Sequence, residues 1–156
     1  MKFTTQEEYG LRCLIQIAKH QSEGGLTIPQ ISDSEGLSES NTAKLLRILR
    51  LGGIIESSRG QEGGYRLAKP ADQINVSEVL NVLGGKLFED DFCDKHSGFE
   101  KTCLHNSGCS VRSLWQTVQQ AVDQILSNVT LNDLLGTDKT FHHQVSIPIL
   151  QAVSGD

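Results

Sequence analysis

No apolar run in the chain approaches the roughly 18 residues of a membrane span, so no transmembrane helix is expected. The opening Met-Lys-Phe-Thr-Thr lacks the apolar core of a secretory leader, and a cytoplasmic location is expected. There is no internal repeat or low-complexity tract. There is also no C-x-x-C pair, no nucleotide-binding glycine loop and no nucleophile–base constellation, so nothing marks the chain as an enzyme, redox or otherwise. At 156 residues it suits one compact domain, or a small domain with a helical appendage that packs in an oligomer, rather than two large cores.

Positive charge is scarce overall: 14 Lys and Arg stand against 19 Asp and Glu, for a net charge of -5. That balance looks wrong for a partner of nucleic acid until the chain is divided. Residues 1–70 hold nine basic and eight acidic residues, whereas residues 71–156 hold five and eleven. Within residues 38–69 there are six basic residues and three acidic ones. A locally basic face beside an acidic second half can still bind phosphates.

The pattern of caps and apolar positions predicts mainly helices. Thr4 with Glu7, and Thr5 with Glu8, each form a Thr-x-x-Glu capping box, so a first helix starts at Thr4 or Thr5 and buries Leu11, Leu14, Ile15 and Ala18. Cys13 lies on the same apolar stretch and reads as a core thiol. Thr27-Ile28-Pro29-Gln30 opens a short second helix that Gly36 closes. Ser38 caps a third helix, with Leu45, Leu46 and Leu49 inward and Ser40, Asn41, Lys44 and Arg47 outward. Ile54–Arg59 and Tyr65–Ala68 then form a hairpin round a glycine-rich tip. Three helices followed by a hairpin is the order of a winged helix-turn-helix.

A further helix is expected over Asn75–Leu83. From Val111 to Val129 an apolar stripe runs along about five helical turns, through Leu114, Trp115, Val118, Val122 and Ile125. Such a helix needs a partner, and the expected ones are the amino-terminal helix and its own copy in a homodimer. The expected organisation is a DNA-binding winged helix over 1–85, a cysteine-containing loop over 86–110, a dimerisation helix with a short following helix over 111–135, and a loose tail over 136–156.

Cys93, Cys103 and Cys109 fall within seventeen residues of polar sequence. Cysteine is usually buried, so clustering in a polar loop calls for another cause, and thiolate ligation of a soft metal supplies one. An iron–sulfur cluster and zinc are both open on these residues, with His96 or His105 available to complete a tetrahedral zinc site. Cys109 directly precedes the long helix, whose positive end would stabilise its thiolate. His142-His143 has no third partner in its own segment.

Tyr9-Gly10-Leu11-Arg12, Arg59-Gly60-x-x-Gly63-Gly64-Tyr65-x-Leu67-Ala68, the cysteine loop and Thr130-Leu131-x-x-Leu134 together resemble the bacterial Rrf-two (Rrf2) family of winged-helix transcription regulators. The resemblance spans Met1 to about Leu135. It implies a homodimer that binds double-stranded operator DNA and carries an iron–sulfur cluster in the cysteine loop, a two-iron cluster being favoured over a four-iron one. Five residues separate Cys103 from Cys109, the family spacing, but nine separate Cys93 from Cys103. Arg112 stands where the branch controlling cluster assembly has a histidine ligand, and being permanently protonated it cannot ligate.

In the nitric-oxide-sensing branch and a redox-sensing one, a carboxylate from the partner subunit completes the cluster, and Glu8 stands at the matching position. Cap and ligand are both open for Glu8, because the capping signature alone predicts a Glu there. Ser38, Ser40, Asn41, Lys44 and Arg47 are the expected DNA contacts of the third helix, with Arg59 and Arg66 on the wing. The alternative is a winged-helix repressor, zinc-stabilised or metal-independent, controlled by a ligand or a protein partner.

Overall fold

A computed structural model describes residues 3–58, 63–97, 99, 103, 105, 108–137 and 141. The first helix, α1 (Thr5–Lys19), is capped by Thr4. Thr4 Oγ1 accepts the Glu7 N–H at 3.2 Å, and the Glu7 carboxylate accepts the Thr4 N–H at 2.6 Å. Of the two overlapping capping boxes in the sequence, the chain uses the first, and Glu8 takes no part. Cys13, Leu14 and Ile17 are fully buried, with Leu11, Ile15 and Ala18 partly so. The buried arc is broader than the expected stripe because α1 meets the next three helices and the wing.

Helices α2 (Ile28–Glu35) and α3 (Glu39–Leu51) form the helix-turn-helix. Gly36, at φ 65°, ends α2 in the left-handed region. Within the buried contact between the two helices, Ser32 Oγ donates to Thr42 Oγ1 at 2.9 Å. Ile31, Leu45, Leu46 and Leu49 of the same two helices join the core with α1. Each such aliphatic side chain stabilises the fold by about 1.5–3 kcal/mol through burial.

The wing is antiparallel, β1 (Ile55–Ser57) and β2 (Tyr65–Leu67) pairing with Glu56 opposite Arg66. Leu26 adds a third rung: its N–H donates to Tyr65 O at 3.0 Å, and its carbonyl accepts the Tyr65 N–H at 2.7 Å. Gly64 makes this approach possible, since a Cβ there would stand 2.9 Å from the Leu26 backbone. Tyr65 packs against the core beneath the wing.

Helix α4 (Val76–Leu83) follows, capped by Asn75, whose side chain accepts the Ser77 N–H at 2.8 Å. Leu83 lies against Gly10 of α1, where a Cβ would come within 2.4 Å of its side chain, so any larger residue in the Tyr9-Gly10-Leu11-Arg12 stretch at this crossing would have to displace Leu83. A four-residue helix, α5 (Phe92–Lys95), sits inside the cysteine segment, where the sequence suggested only loop. The long helix α6 (Ser110–Leu126) begins immediately after Cys109.

Helix α6 rests mainly on α4 rather than along α1. Val111, Leu114 and Trp115 at its amino-terminal end are 55, 54 and 41 % exposed, so its apolar stripe is largely unpartnered within one chain. Beyond α6 the chain turns back and is sewn to the winged helix. Asn75 Nδ2 donates to Ser127 O, Val76 N to Val129 O and Leu131 N to Ile74 O, at 2.8, 2.9 and 2.8 Å. Leu131 is fully buried, and Asn132–Leu135 forms a 3-10 turn against α1. Of the expected tail, residues 138–140 and 142–156 lie outside the described residues, His142 and His143 among them. No described helix is long and apolar enough to cross a membrane.

Candidate functional site

Two surfaces bring the chemistry-bearing residues together. On α3, one turn apart, Ser40, Lys44 and Arg47 are exposed on the face opposite Leu45 and Leu49, with Asn41 half-buried beside them. Ser38 spends its hydroxyl on the helix itself, accepting the Asn41 N–H at 3.3 Å. On the wing, Arg66 Nε donates to Glu56 Oε1 at 2.6 Å across the strand pair, both side chains being about half exposed. Arg59 and the wing tip lie outside the described residues.

The helix-turn-helix is braced from behind by α1. Arg12 on α1 makes an ion pair with Glu35 at the end of α2, Nε to Oε2 at 2.7 Å, and its Nη2 donates to the Glu35 carbonyl at 3.1 Å. Gln16 donates to the other Glu35 oxygen at 2.6 Å, and the Arg12 guanidinium lies 5.5 Å from the centre of the Tyr9 ring. The Glu35 hydrogen bond and charge raise the Arg12 pKa. Glu35 is almost wholly buried, so this charge-assisted network fixes the angle between α1 and the helix-turn-helix.

The second surface is a cavity of about 360 Å³ lined by Cys93, His96, Cys103, His105 and Cys109, together with Phe92, Gly108, Ser110 and Val111. Helix α5 carries Cys93 to one wall. Cys109 occupies the N-cap position of α6, where its Sγ accepts the Arg112 backbone N–H at 3.4 Å. A sulfur so placed faces the positive end of the helix. His96 is held by its own helix: Nδ1 lies 2.7 Å from Phe92 O and its ring stacks on that of Phe92. Among the described residues no three His, Cys, Asp or Glu side chains converge tightly enough to hold a single metal ion. The three thiols therefore share a cavity without closing on one point.

Arg112, set aside in the sequence because a protonated arginine cannot ligate, acts at this site through its charge. Its guanidinium pKa is raised, first by a side-chain hydrogen bond to Cys93, then by the charges of Cys93, Cys109 and Cys103. The available signal was positional: a residue three places after a helix N-cap stands beside the capping side chain. Glu8 does not line the cavity. It is exposed on α1, and its carboxylate makes no hydrogen bond or ion pair with another described residue, so it is free of the capping role.

Cavity and winged helix are mechanically linked. Phe88 N–H donates to the buried Gln119 side chain of α6 at 3.0 Å, and Gln119 donates to Asp123 at 2.8 Å. The segment entering the cysteine region is thus pinned to α6, whose far end is sewn to the start of α4.

The model of the Rrf2 family, described as an iron-dependent transcriptional regulator, matches residues 3–137. The chain belongs to the Rrf2 family. Protein rrf2 of Nitratidesulfovibrio vulgaris is 36 % identical over 135 residues, covering 86 % of this chain and 87 % of that one. Among solved structures, CymR, the global cysteine regulator of B. subtilis, superposes with a TM-score of 0.68 at 31 % identity, covering 86 % of this chain and 96 % of that one. T. potens IscR superposes with a TM-score of 0.71 at 26 % identity, covering 97 % and 96 %. As an Rrf2 protein the chain is a DNA-binding transcription regulator of the winged-helix class and not an enzyme.

Proposed function

We propose that this regulator is a cytoplasmic homodimer whose operator binding is controlled by an iron–sulfur cluster held by Cys93, Cys103 and Cys109, with Glu8 of the partner subunit as the fourth ligand. The observation that carries the reading is the sharing of one cavity by three thiols from three separate positions of the chain, one of them at a helix N-terminus. The donor set fits the group. Zinc needs its ligands about 2.0–2.3 Å from a single point, whereas a cluster of several atoms takes thiolates spread round a wider space. An oxygen donor as the fourth ligand leaves one iron less tightly held than thiolates alone would.

When bound, the cluster supplies a one-electron centre open to attack by oxidants or nitric oxide. Transmission to the DNA-binding face is the work of the chain's own residues. Cys93 on α5 and Cys109 at the start of α6 form two walls of the cavity, so filling or emptying it changes the spacing of those elements. Gln119 passes that change to α6, and the Asn75–Ser127 and Ile74–Leu131 bonds pass it to α4 and the winged helix. The exposed Val111, Leu114 and Trp115 supply an apolar face for the same helix of a second copy, and the two α3 helices would then address successive major grooves.

On α3, Asn41 and Arg47 are the groups suited to reading base edges, and Lys44 suits a phosphate. The test is anaerobic purification followed by iron and sulfide analysis, visible absorption and Mössbauer spectroscopy of wild type and Glu8→Ala. A coloured wild type whose iron parameters change in the variant supports the assignment, and a colourless protein after reconstitution refutes it.

A second reading is favoured by the likeness to CymR, a cysteine regulator: a repressor controlled by a ligand or protein partner, its thiols free or holding zinc with His96 or His105. Operator binding by a colourless protein that is unaffected by reconstitution supports that reading.

A further inference from the structure

We propose that Arg112 is a positioning residue for the cysteine cavity, donating positive charge and hydrogen bonds to the sulfur atoms there, and so setting how firmly a cluster is held and at what potential it accepts an electron. This rests on the iron–sulfur reading above.

The geometry is specific. Arg112 lies three residues after Cys109, and its backbone N–H already donates to the Cys109 sulfur at 3.4 Å. Cys93 is the thiol that acts most strongly on its guanidinium, ahead of Cys109 and Cys103. The Arg112 Nε is nevertheless buried with no acceptor among the described residues. Buried donors are nearly always paired, so an unpaired one on the residue whose backbone bonds the Cys109 sulfur marks a place for an acceptor. Sulfur atoms in the cavity would provide it.

Charge supports the same assignment. All three thiols act on the guanidinium, and an arginine keeps its proton throughout the physiological range. The rest of the segment is acidic on balance, and of its described cations Lys95 is held by Glu89 and Asp91 at 2.6 and 3.0 Å. Net charge and hydrogen bonds to sulfur are two of the levers that set cluster potentials. One electron supplied from outside makes the site more negative by one charge, and Arg112, with its protons unchanged, offsets it. The reduced state is thereby favoured.

The experiment compares wild type, Arg112→Gln and Arg112→Lys, each reconstituted anaerobically and titrated with dithionite through redox mediators while visible absorption is followed. In Arg112→Gln the reduced-to-oxidised ratio at a given potential should fall about tenfold, which for one electron is about 59 mV. Arg112→Lys should recover most of the shift, and iron release to a chelator should be several-fold faster in the Gln variant alone. Helical circular dichroism of the apo-proteins separates folding from site chemistry.

If Arg112→Gln keeps its helical signal but takes up no cluster while Arg112→Lys loads, the proposal is upheld through retention. Equal potentials and equal iron release in all three proteins overturn the role of Arg112 and leave the iron–sulfur reading standing. Loss of helical signal in both variants assigns Arg112 a purely structural part and overturns the proposal. Absence of a cluster in wild type overturns both.

Discussion

The Cys109 sulfur and the Arg112 backbone N–H meet at 3.4 Å, so one cysteine both caps α6 and presents a thiol to the cavity. The two roles can be separated. Serine is a good N-cap and a poor soft-metal ligand, whereas alanine is neither. Cys109→Ser should therefore fold as stably as the metal-free wild type, and Cys109→Ala should lose about 0.5–1 kcal/mol. Both should lose iron. Urea unfolding of the apo-proteins, with iron analysis after reconstitution, checks this.

Lys44 and Arg47 are exposed on α3 and free of ion pairs among the described residues, whereas Arg66 is held by Glu56. Lys44→Ala or Arg47→Ala should weaken operator binding, and loss of a phosphate contact should lower the salt-dependence slope by about one. Arg66→Ala should cost less, and Glu56→Gln, which frees Arg66, should strengthen binding. Fluorescence anisotropy with operator DNA across a salt series measures all four. Equal losses for Arg66 and Arg47 would contradict the reading of the wing.

The buried bond between Ser32 and Thr42 holds the two helices of the reading head together. Thr42→Val leaves the Ser32 hydroxyl unpaired in the core and should cost about 1–3 kcal/mol. Adding Ser32→Ala removes the stranded group and should restore most of that loss. Urea denaturation of the single and double variants gives the coupling directly.

The winged helix was legible because local signals agree with the tertiary fold. Thr27-x-x-Gln30 and Ser38 mark helix starts, and Gly36 marks an end, wherever the rest of the chain packs. Two overlapping Thr-x-x-Glu boxes, by contrast, can be resolved only by what packs on the helix. Gln6 donates to the Leu83 carbonyl and Glu7 crowds Gly84, which sets the start at Thr4.

Helix α5 has only four residues and no periodicity to read, and the return of Val129–Leu131 into the core is a long-range pairing. The stripe on α6 is evident in sequence, but the exposure of Val111, Leu114 and Trp115 at its start follows from how α6 sits on α4. Cys93, Cys103 and Cys109 could be named as a group, yet the cavity they share and the burial of the Arg112 Nε are matters of side-chain placement.

Cys13 is fully buried, and burial, followed by the charge of Glu35, pushes its thiol from 9.0 up to about 11. Between those values an unfolded chain gives up a proton that the folded one keeps, so stability falls as pH rises through that window. The pH dependence of the urea midpoint should be flatter in Cys13→Ala than in wild type from pH 9.0 to about 11. Identical slopes would contradict the burial of this thiol.

Control of the reading head by the cysteine cavity is tested most directly by the operator affinity of one anaerobic preparation measured twice, with its cluster and after chelation has stripped it. At least a tenfold difference in Kd, about 1.4 kcal/mol, is expected, restored on reconstitution and absent in Cys103→Ala. Equal affinities for the loaded and stripped protein would contradict that control.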